Sequence, residues 1–341
     1  MPRKTTVLFI WDVDKRLREH LTSRLDNFSN INLIFPSHPS QAEFKKLALD
    51  ANIIVGWRPT QDLLQAAKKL QLFINPGAGV QHLIKPFVDL NRSREVILTN
   101  GHGNSPFVAQ HAIALLLALM NKIIIHHNLM VEGQWRKRDA ATKSTPLQNR
   151  RVGLLGYGAI NQKVHKLLSG FDLSFSILRR AWNNQQIQLL TQAKRHTPES
   201  LHPFLEEIDI LIIAVPLTTL THHLIKTREL ELLGSDGLLI NVARGNIIDE
   251  LSLFNALKSK VIAGAAIDVW YDYDPTPDKK GRKYPYSYPF HELPNVILSP
   301  HRAASPLDDL NRWNEVIENI QRFAKGKERE LLNVVNLDRE Y

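Results

Sequence analysis

The chain has no cysteine among its 341 residues. Disulfide cross-links, thiolate metal sites and thiol nucleophiles are therefore excluded, which suits a reducing compartment and leads us to expect a cytoplasmic protein. No apolar run is long enough to span a bilayer. The first one, Val7 to Trp11, is stopped by Asp12 and Asp14 and is too short for the core of a signal peptide. The most apolar helical stretch, Ala112 to Ile125, carries Asn121 and Lys122, so no membrane association is expected. Nothing repeats at a solenoid spacing. Acidic residues are outnumbered, and the formal net charge is +9. The basic clusters at Arg136-Lys137-Arg138, Lys279 to Lys283 and Lys325 to Arg329 are short and far apart. They lack aromatic stacking platforms, and no helix-turn-helix accompanies them. They read as solvated faces with some attraction for small anions, and nucleic acid is not an expected partner.

With 43% hydrophobic residues the chain can fill two ordinary cores. Strand and helix patterns alternate throughout, which predicts an α/β protein. One parallel unit is predicted from strands at Val7 to Trp11, Ile31 to Phe35, Ile53 to Val55, Leu72 to Asn75 and Val96 to Thr99. A long helix, about Pro106 to Glu132, leads into a second set: Arg151 to Leu155, Leu173 to Leu178, Ile208 to Val215, Leu238 to Asn241, Val261 to Ile267 and Val296 to Leu298. A last helix is predicted over Asp308 to Lys325. The segment Tyr271 to Pro289, rich in prolines, tyrosines and lysines, is either a functional lid or a surface insertion.

The run Arg151-Val-Gly-Leu-Leu-Gly156-Tyr157-Gly158-Ala159-Ile160 is a buried strand entering a glycine turn. Gly156 permits the tight reversal. Gly158 leaves room for a pyrophosphate at the helix N-terminus. The third glycine of the fingerprint is replaced by Asn161, which either caps the helix or widens its contact with the strand. The next strand ends in Arg179-Arg180, 23 residues after Gly156. An acidic residue near that position accepts from a ribose 2′-hydroxyl, whereas arginine suits a 2′-phosphate, so NADP is expected with NAD possible. The alternative is that both arginines are merely solvated.

The remaining chemistry lies at strand ends, where open α/β sheets place ligands. Arg244, between the small Ala243 and Gly245, can clamp a carboxylate bidentately. His301, in the loop after Val296 to Leu298, is suited to protonating a ketone oxygen near neutral pH. Asp268 ends a strand and can accept from a carboxamide. Gly77-Ala78-Gly79-Val80 offers a nest of backbone donors for an anion. Trp57 either closes a ligand pocket or belongs to the core. No metal is expected.

The ordered segments Gly77 to Val80, Val108 to His111, Gly156 to Ile160, Val215 to Thr218, Asn241 to Gly245, Ile267 to Val269 and Ser299 to His301 resemble the D-isomer-specific 2-hydroxyacid dehydrogenase family, specifically its glyoxylate/hydroxypyruvate reductase-like branch. The resemblance covers nearly the whole chain. It implies two doubly wound parallel-sheet lobes, with a Rossmann-like dinucleotide domain (104–304) inserted into a flavodoxin-like substrate domain (1–103 and 305–341). It also implies a homodimer built around the long helix. By resemblance, Arg244 binds the substrate carboxylate, His301 exchanges a proton with the substrate oxygen, and the amides of Ala78, Gly79 and Val80 also hold the carboxylate. Asp268 orients the nicotinamide amide. Val215, Pro216 and Ala243 join Gly156 to Ile160, Arg179 and Arg180 in lining the cofactor.

One departure stands out. The family's Glu-Pro pair, whose glutamate raises the histidine's pKa, is replaced in the stretch Asp272-Tyr273-Asp274-Pro275. An ungapped match puts Tyr273 there, and a one-residue insertion puts Asp274 there. Asp274 is the preferred partner of His301, with Asp272 and Glu292 as substitutes. The expected activity is NADP(H)-dependent reduction of a small 2-oxo acid such as glyoxylate or hydroxypyruvate. The alternatives are a dinucleotide-sensing interaction protein of the same fold, or a formate-type dehydrogenase suggested by Trp270 and the tyrosine-rich insertion.

Overall fold

The computed structural model describes residues 4–37, 40–135, 143–182, 188–306 and 308–341. Alternating apolar strands and amphipathic helices build two units, one from Met1–Asn104 with Pro306–Tyr341 and the other from Ser105–Ser305.

In the first unit, β1 (Thr5–Phe9), β2 (Ile31–Ile34), β3 (Ile53–Val55), β4 (Leu72–Asn75) and β5 (Ile97–Asn100) form a sheet in the order β2-β1-β3-β4-β5. Every pairing is parallel, and the order is that of flavodoxin-like sheets. β3 and β4 are buried along their whole length, because α2 (Gln41–Ala48), α3 (Gln61–Ala66) and α4 (Gln81–Asn91) cover one face of the sheet centre and α1 (Lys15–Leu25) covers the other together with the chain's last helix. Asp14 caps α1 by accepting from the Leu17 amide, which sets Leu17, Leu21 and Leu25 inward.

The second unit begins with α5 (Ser105–Met120) and α6 (Ile123–Val131). The sequence predicted one continuous helix here. Instead the two are bent by 63°, because the Asn121 side chain takes the Leu117 carbonyl (3.0 Å) and Lys122 turns left-handed at φ 56°. No single helix among the described residues is long and apolar enough to cross a membrane. Next come β6 (Arg151–Leu155), α7 (Ala159–Leu168), β7 (Ser174–Leu178), β8 (Ala193–His196), α8 (Leu201–Glu206), β9 (Ile210–Ile213), α9 (Thr227–Leu233), β10 (Leu238–Asn241), α10 (Glu250–Lys258), β11 (Gly264–Ile267) and β12 (Val296–Leu298). The sheet order is β12-β11-β10-β9-β6-β7-β8, all parallel. The direction of winding reverses between β6 and β9, the switch point at which doubly wound sheets bind ligands. β8, Ala-Lys-Arg-His, was not foreseen: it is a polar edge strand with no apolar run to announce it.

The last helix, α11 (Asn314–Ala324), returns to the first unit, where Val316, Ile317, Ile320 and Phe323 share a core with Leu17, Leu21, Ile53 and Ile74. Residues 333–335 then add to the edge beyond β5, with Asn100 N donating to Asn333 O (3.1 Å) and Val335 N to Leu98 O (2.8 Å). Of the basic clusters, Arg282 pairs with Asp278 (2.8 Å) and Lys327 with Glu330 (3.0 Å). Residues 136–138 lie outside the described residues.

Candidate active site

In the first unit, β4 runs into Pro76 and the loop 77–80. Asn75 Nδ2 donates to the carbonyls of Gly77 (2.5 Å) and Gly79 (3.2 Å), and Asn100 Nδ2 donates to that of Ala78 (2.8 Å). With the carbonyls tied back, the amides of Gly77, Ala78, Gly79 and Val80 meet no acceptor among the described residues. A row of free donors is what a carboxylate requires. Trp57 is no core residue. It is 37% exposed, edge-on to Trp11 (4.9 Å) and Trp313 (6.1 Å), with its indole nitrogen 3.4 Å from where a side chain on Gly77 would begin.

In the second unit, β6 ends at Gly156, whose φ of 85° and approach to the Ala214 carbonyl exclude a side chain. A Cβ there would fall 2.7 Å from both Ala214 O and Val215 Cγ1, so the strand end and the Val215-Pro216 segment meet across this turn. Gly158 precedes α7 and gives it no side-chain cap. A Cβ on Gly158 would meet nothing within 4 Å. Free amides of Ala159 and Ile160, at the positive end of a ten-residue helix with open space before them, fit a pyrophosphate. Asn161 neither caps the helix nor widens its contact. It is fully buried, and its Nδ2 donates to the carbonyls of Leu155 (3.2 Å), Gly156 (2.7 Å) and Ile212 (3.3 Å), binding β6 to β9 at the switch point. Tyr157 is buried with its hydroxyl 2.8 Å from His165 Nδ1, and His165 Nε2 lies 2.7 Å from Thr191 Oγ1. At the end of β7, Arg179 lies over the Trp182 ring (5.4 Å) and Arg180 is exposed.

Three further strand ends carry Arg244, Asp268 and His301. After β10, Asn241 shapes the turn by accepting from Ala243 N (3.0 Å) and donating to Arg244 O (3.0 Å). The Arg244 guanidinium donates to Ala243 O (2.6 Å) and has no carboxylate partner among the described residues. Burial depresses its pKa, with Tyr273 opposing. After β12, His301 adopts φ 56° in a loop clipped to Asp268. One carboxylate oxygen accepts from Arg302 N (2.7 Å) and from the Ser299 hydroxyl, the other from Ala303 N (3.0 Å). His111 of α5 completes the clip, with Nε2 2.9 Å from Ser299 Oγ and 3.4 Å from Asp268. Asp268 has no accessible surface and its carboxylate is engaged by the His301 loop, where the sequence reading has it accept from a nicotinamide amide. Trp270 is likewise structural, buried with Nε1 donating to Ser299 O (2.8 Å).

The His301 partner also differs from the preferred reading. Asp272 accepts from the Asp274 amide (2.9 Å), a local turn that leaves Asp274 exposed and without contact to His301. Tyr273 takes the place instead, its ring edge-on to His301 at 5.3 Å and its hydroxyl accepting from Trp270 N (3.4 Å). Tyr273 is exposed along much of its side chain, and the protein packed around it raises its pKa, so the phenol stays neutral. Asp272 and Glu292 are exposed and do not substitute. His301 is exposed, yet the protein packed around its ring lowers the pKa from 6.5, Asp268 opposing and Arg244 adding to the fall. The insertion packs back on its own unit, with Tyr271 N and Asp272 N donating to Pro285 O (3.2 and 3.0 Å) and Tyr286 against Trp270 (4.9 Å). The described residues contain no cluster of three His, Asp or Glu suited to a metal.

Comparison with known proteins identifies the family and the fold. Residues 113–303 match the D-isomer specific 2-hydroxyacid dehydrogenase, NAD binding domain. A glyoxylate/hydroxypyruvate reductase of Arabidopsis thaliana is 30% identical over 94% of the chain and 92% of its own length. A glyoxylate reductase of Thermofilum pendens is 29% identical over 78% of the chain and 75% of its own length. Among solved structures, an NADPH-dependent glyoxylate/hydroxypyruvate reductase from Sinorhizobium meliloti, in complex with NADP and malonate, superposes with a TM-score of 0.74 at 25% identity, covering 98% of each chain. The chain belongs to the D-isomer specific 2-hydroxyacid dehydrogenase family, NAD(P)-dependent oxidoreductases acting on CH–OH donors.

Proposed function

We propose that the protein is an NADP(H)-preferring reductase of a small 2-oxo acid such as glyoxylate or hydroxypyruvate, reversible as a 2-hydroxyacid dehydrogenase. The observation that carries this reading is Arg244: a partly buried guanidinium with no acidic partner among the described residues, within electrostatic reach of His301 and Tyr273. An uncompensated cation in that setting is costly unless a ligand anion completes it. The second unit, Ser105–Ser305, serves as the dinucleotide domain and the first as the substrate domain.

Bound NADPH supplies the hydride for the substrate's 2-carbon. Arg244 clamps the 2-oxo acid carboxylate and polarises the adjacent carbonyl. His301 donates a proton to the carbonyl oxygen and recovers one from the hydroxyl in the reverse direction. Asp268, Ser299 and His111 fix the loop on which the imidazole is carried. The amides of Ala78, Gly79 and Val80 bind carboxylate, and Trp57 bounds the substrate's variable group. Gly156 to Ile160 hold the pyrophosphate, Arg179 and Arg180 the ribose 2′-phosphate, and Val215, Pro216 and Ala243 wall the cofactor. The relatives named for glyoxylate and hydroxypyruvate support the substrate class. The protein acts as a homodimer joined through α6, which buries none of its residues and exposes Ile123, Ile124, Met130 and Val131.

Initial rates with NADPH and NADH against glyoxylate, hydroxypyruvate, pyruvate and a bulky aromatic 2-oxo acid test the proposal. Turnover of the small acids with NADPH preferred is expected. Cofactor binding without turnover of any acid would overturn it in favour of a dinucleotide sensor.

A further inference from the structure

Resting on the NADP reading above, we infer that Arg195 and Trp182 complete the subsite for the ribose 2′-phosphate, with Arg195 as a phosphate-binding cation and Trp182 as the platform that holds it beside Arg179. Arg195 lies on β8, 16 residues after Arg179, and the parallel pairing of β7 with β8 brings the two together at the strand ends. Leu178 pairs with His196 and Ile177 with Arg195.

Three bonds converge on His196. Arg179 N and Trp182 Nε1 both donate to its carbonyl (3.1 and 2.9 Å), and its imidazole Nε2 lies 2.7 Å from Glu207 Oε1. The strand end, the indole and the first arginine are therefore fixed to one point. The guanidinium carbons of Arg179 and Arg195 lie 5.4 and 4.9 Å from the same Trp182 ring centroid. Two like charges are thus held within about one Debye length of each other, and the attraction of each for the ring face offsets part of their repulsion. The neighbouring cation is neutralised: Lys194 pairs with Glu207 (2.7 Å). Arg195 has no acidic partner among the described residues. Arg195 therefore offers planar, bidentate donors at the sheet position where the ribose of a dinucleotide is read, and the ligand chemistry that answers it is a phosphate dianion on a ribose beside a stacking base.

The test is calorimetric binding of 2′,5′-ADP and 5′-AMP to the full chain, as wild type, Arg195→Gln, Arg195→Lys and Trp182→Leu, with the KM for the 2-oxo acid followed in parallel. Arg195→Gln should weaken 2′,5′-ADP about ten-fold, the loss of one charge-assisted contact. It should leave 5′-AMP and the substrate KM within about two-fold, and Arg195→Lys should recover part of the loss. Trp182→Leu should reduce the preference for 2′,5′-ADP in the same direction. The inference falls if Arg195→Gln keeps the wild-type preference, or if it weakens both nucleotides equally, as mere support of the sheet edge would. A wild type that binds the two nucleotides equally well would instead overturn the NADP reading, and this inference with it.

Discussion

Replacing Tyr273 by glutamate restores the acid that the family places beside its catalytic histidine, and the structure sets the size of the effect. Tyr273 and His301 have ring centroids 5.3 Å apart. Unit charges about 5 Å apart at an effective dielectric of about 20 attract by roughly 3 kcal/mol. Tyr273 is 56% exposed, so solvent screening leaves about 1 to 1.5 kcal/mol, or about one pKa unit. In the wild type His301 titrates below 6.5. Reduction needs the imidazolium, so its kcat/KM should fall as pH rises through that lowered pKa. Oxidation needs the neutral ring, so its kcat/KM should rise with pH through the same value. In Tyr273→Glu both limbs should move up by about one unit, raising reduction up to about ten-fold on the alkaline side of the limb. The assay is kcat/KM against pH in both directions, with Asp274→Asn as the control that leaves the profile in place. A limb that stays put in Tyr273→Glu, or one that moves in Asp274→Asn instead, would refute the assignment of Tyr273 to the partner position.

Arg244→Ala should lower kcat/KM by about a thousand-fold, near 4 kcal/mol of lost transition-state stabilisation, while dinucleotide affinity measured by fluorescence titration stays within about two-fold. Gly158→Ala adds a methyl group into open space at φ −92°. Its thermal stability without ligand should match the wild type within about 0.5 kcal/mol, yet dinucleotide affinity should fall at least about ten-fold because the methyl occupies the phosphate's approach. Asp268→Asn turns an acceptor for the Ala303 or Arg302 amide into a donor facing a donor. Denaturant unfolding should show a loss of about 2 to 3 kcal/mol, accompanied by a drop in kcat larger than any change in cofactor affinity.

Much of this arrangement is legible without coordinates, because strand ends are written in short-range patterns. Ile53–Val55, Leu72–Asn75, Arg151–Leu155 and Leu238–Asn241 fall where their apolar runs lie, and the positions of Arg244 and His301 just beyond parallel strands follow from the same runs. The side-chain partnerships do not follow. Asp268 meets Arg302 and Ala303 across 34 and 35 residues of sequence, and Asn161 meets Ile212 across 51; no local rule states either. Choosing between Tyr273 and Asp274 depended on one turn at Asp272. Arg195 was hidden because β8 pairs by backbone alone and shows no apolar periodicity. The break between α5 and α6 turns on the backbone of Lys122, and helix propensity does not encode it.

The return of α11 to the first unit has a consequence for the order of synthesis. Leu17, Leu21 and Ile53 leave the ribosome more than 250 residues ahead of Val316, Ile317 and Ile320, which cover them. The second unit, Ser105–Ser305, holds all its strands within one uninterrupted stretch. A nascent chain can therefore finish the later unit while the earlier one still shows an uncovered apolar face, the kind of surface that chaperones engage. Truncation before Asn314 should leave that face permanently bare and drive the chain to aggregate, even with the sheet from β6 to β12 complete.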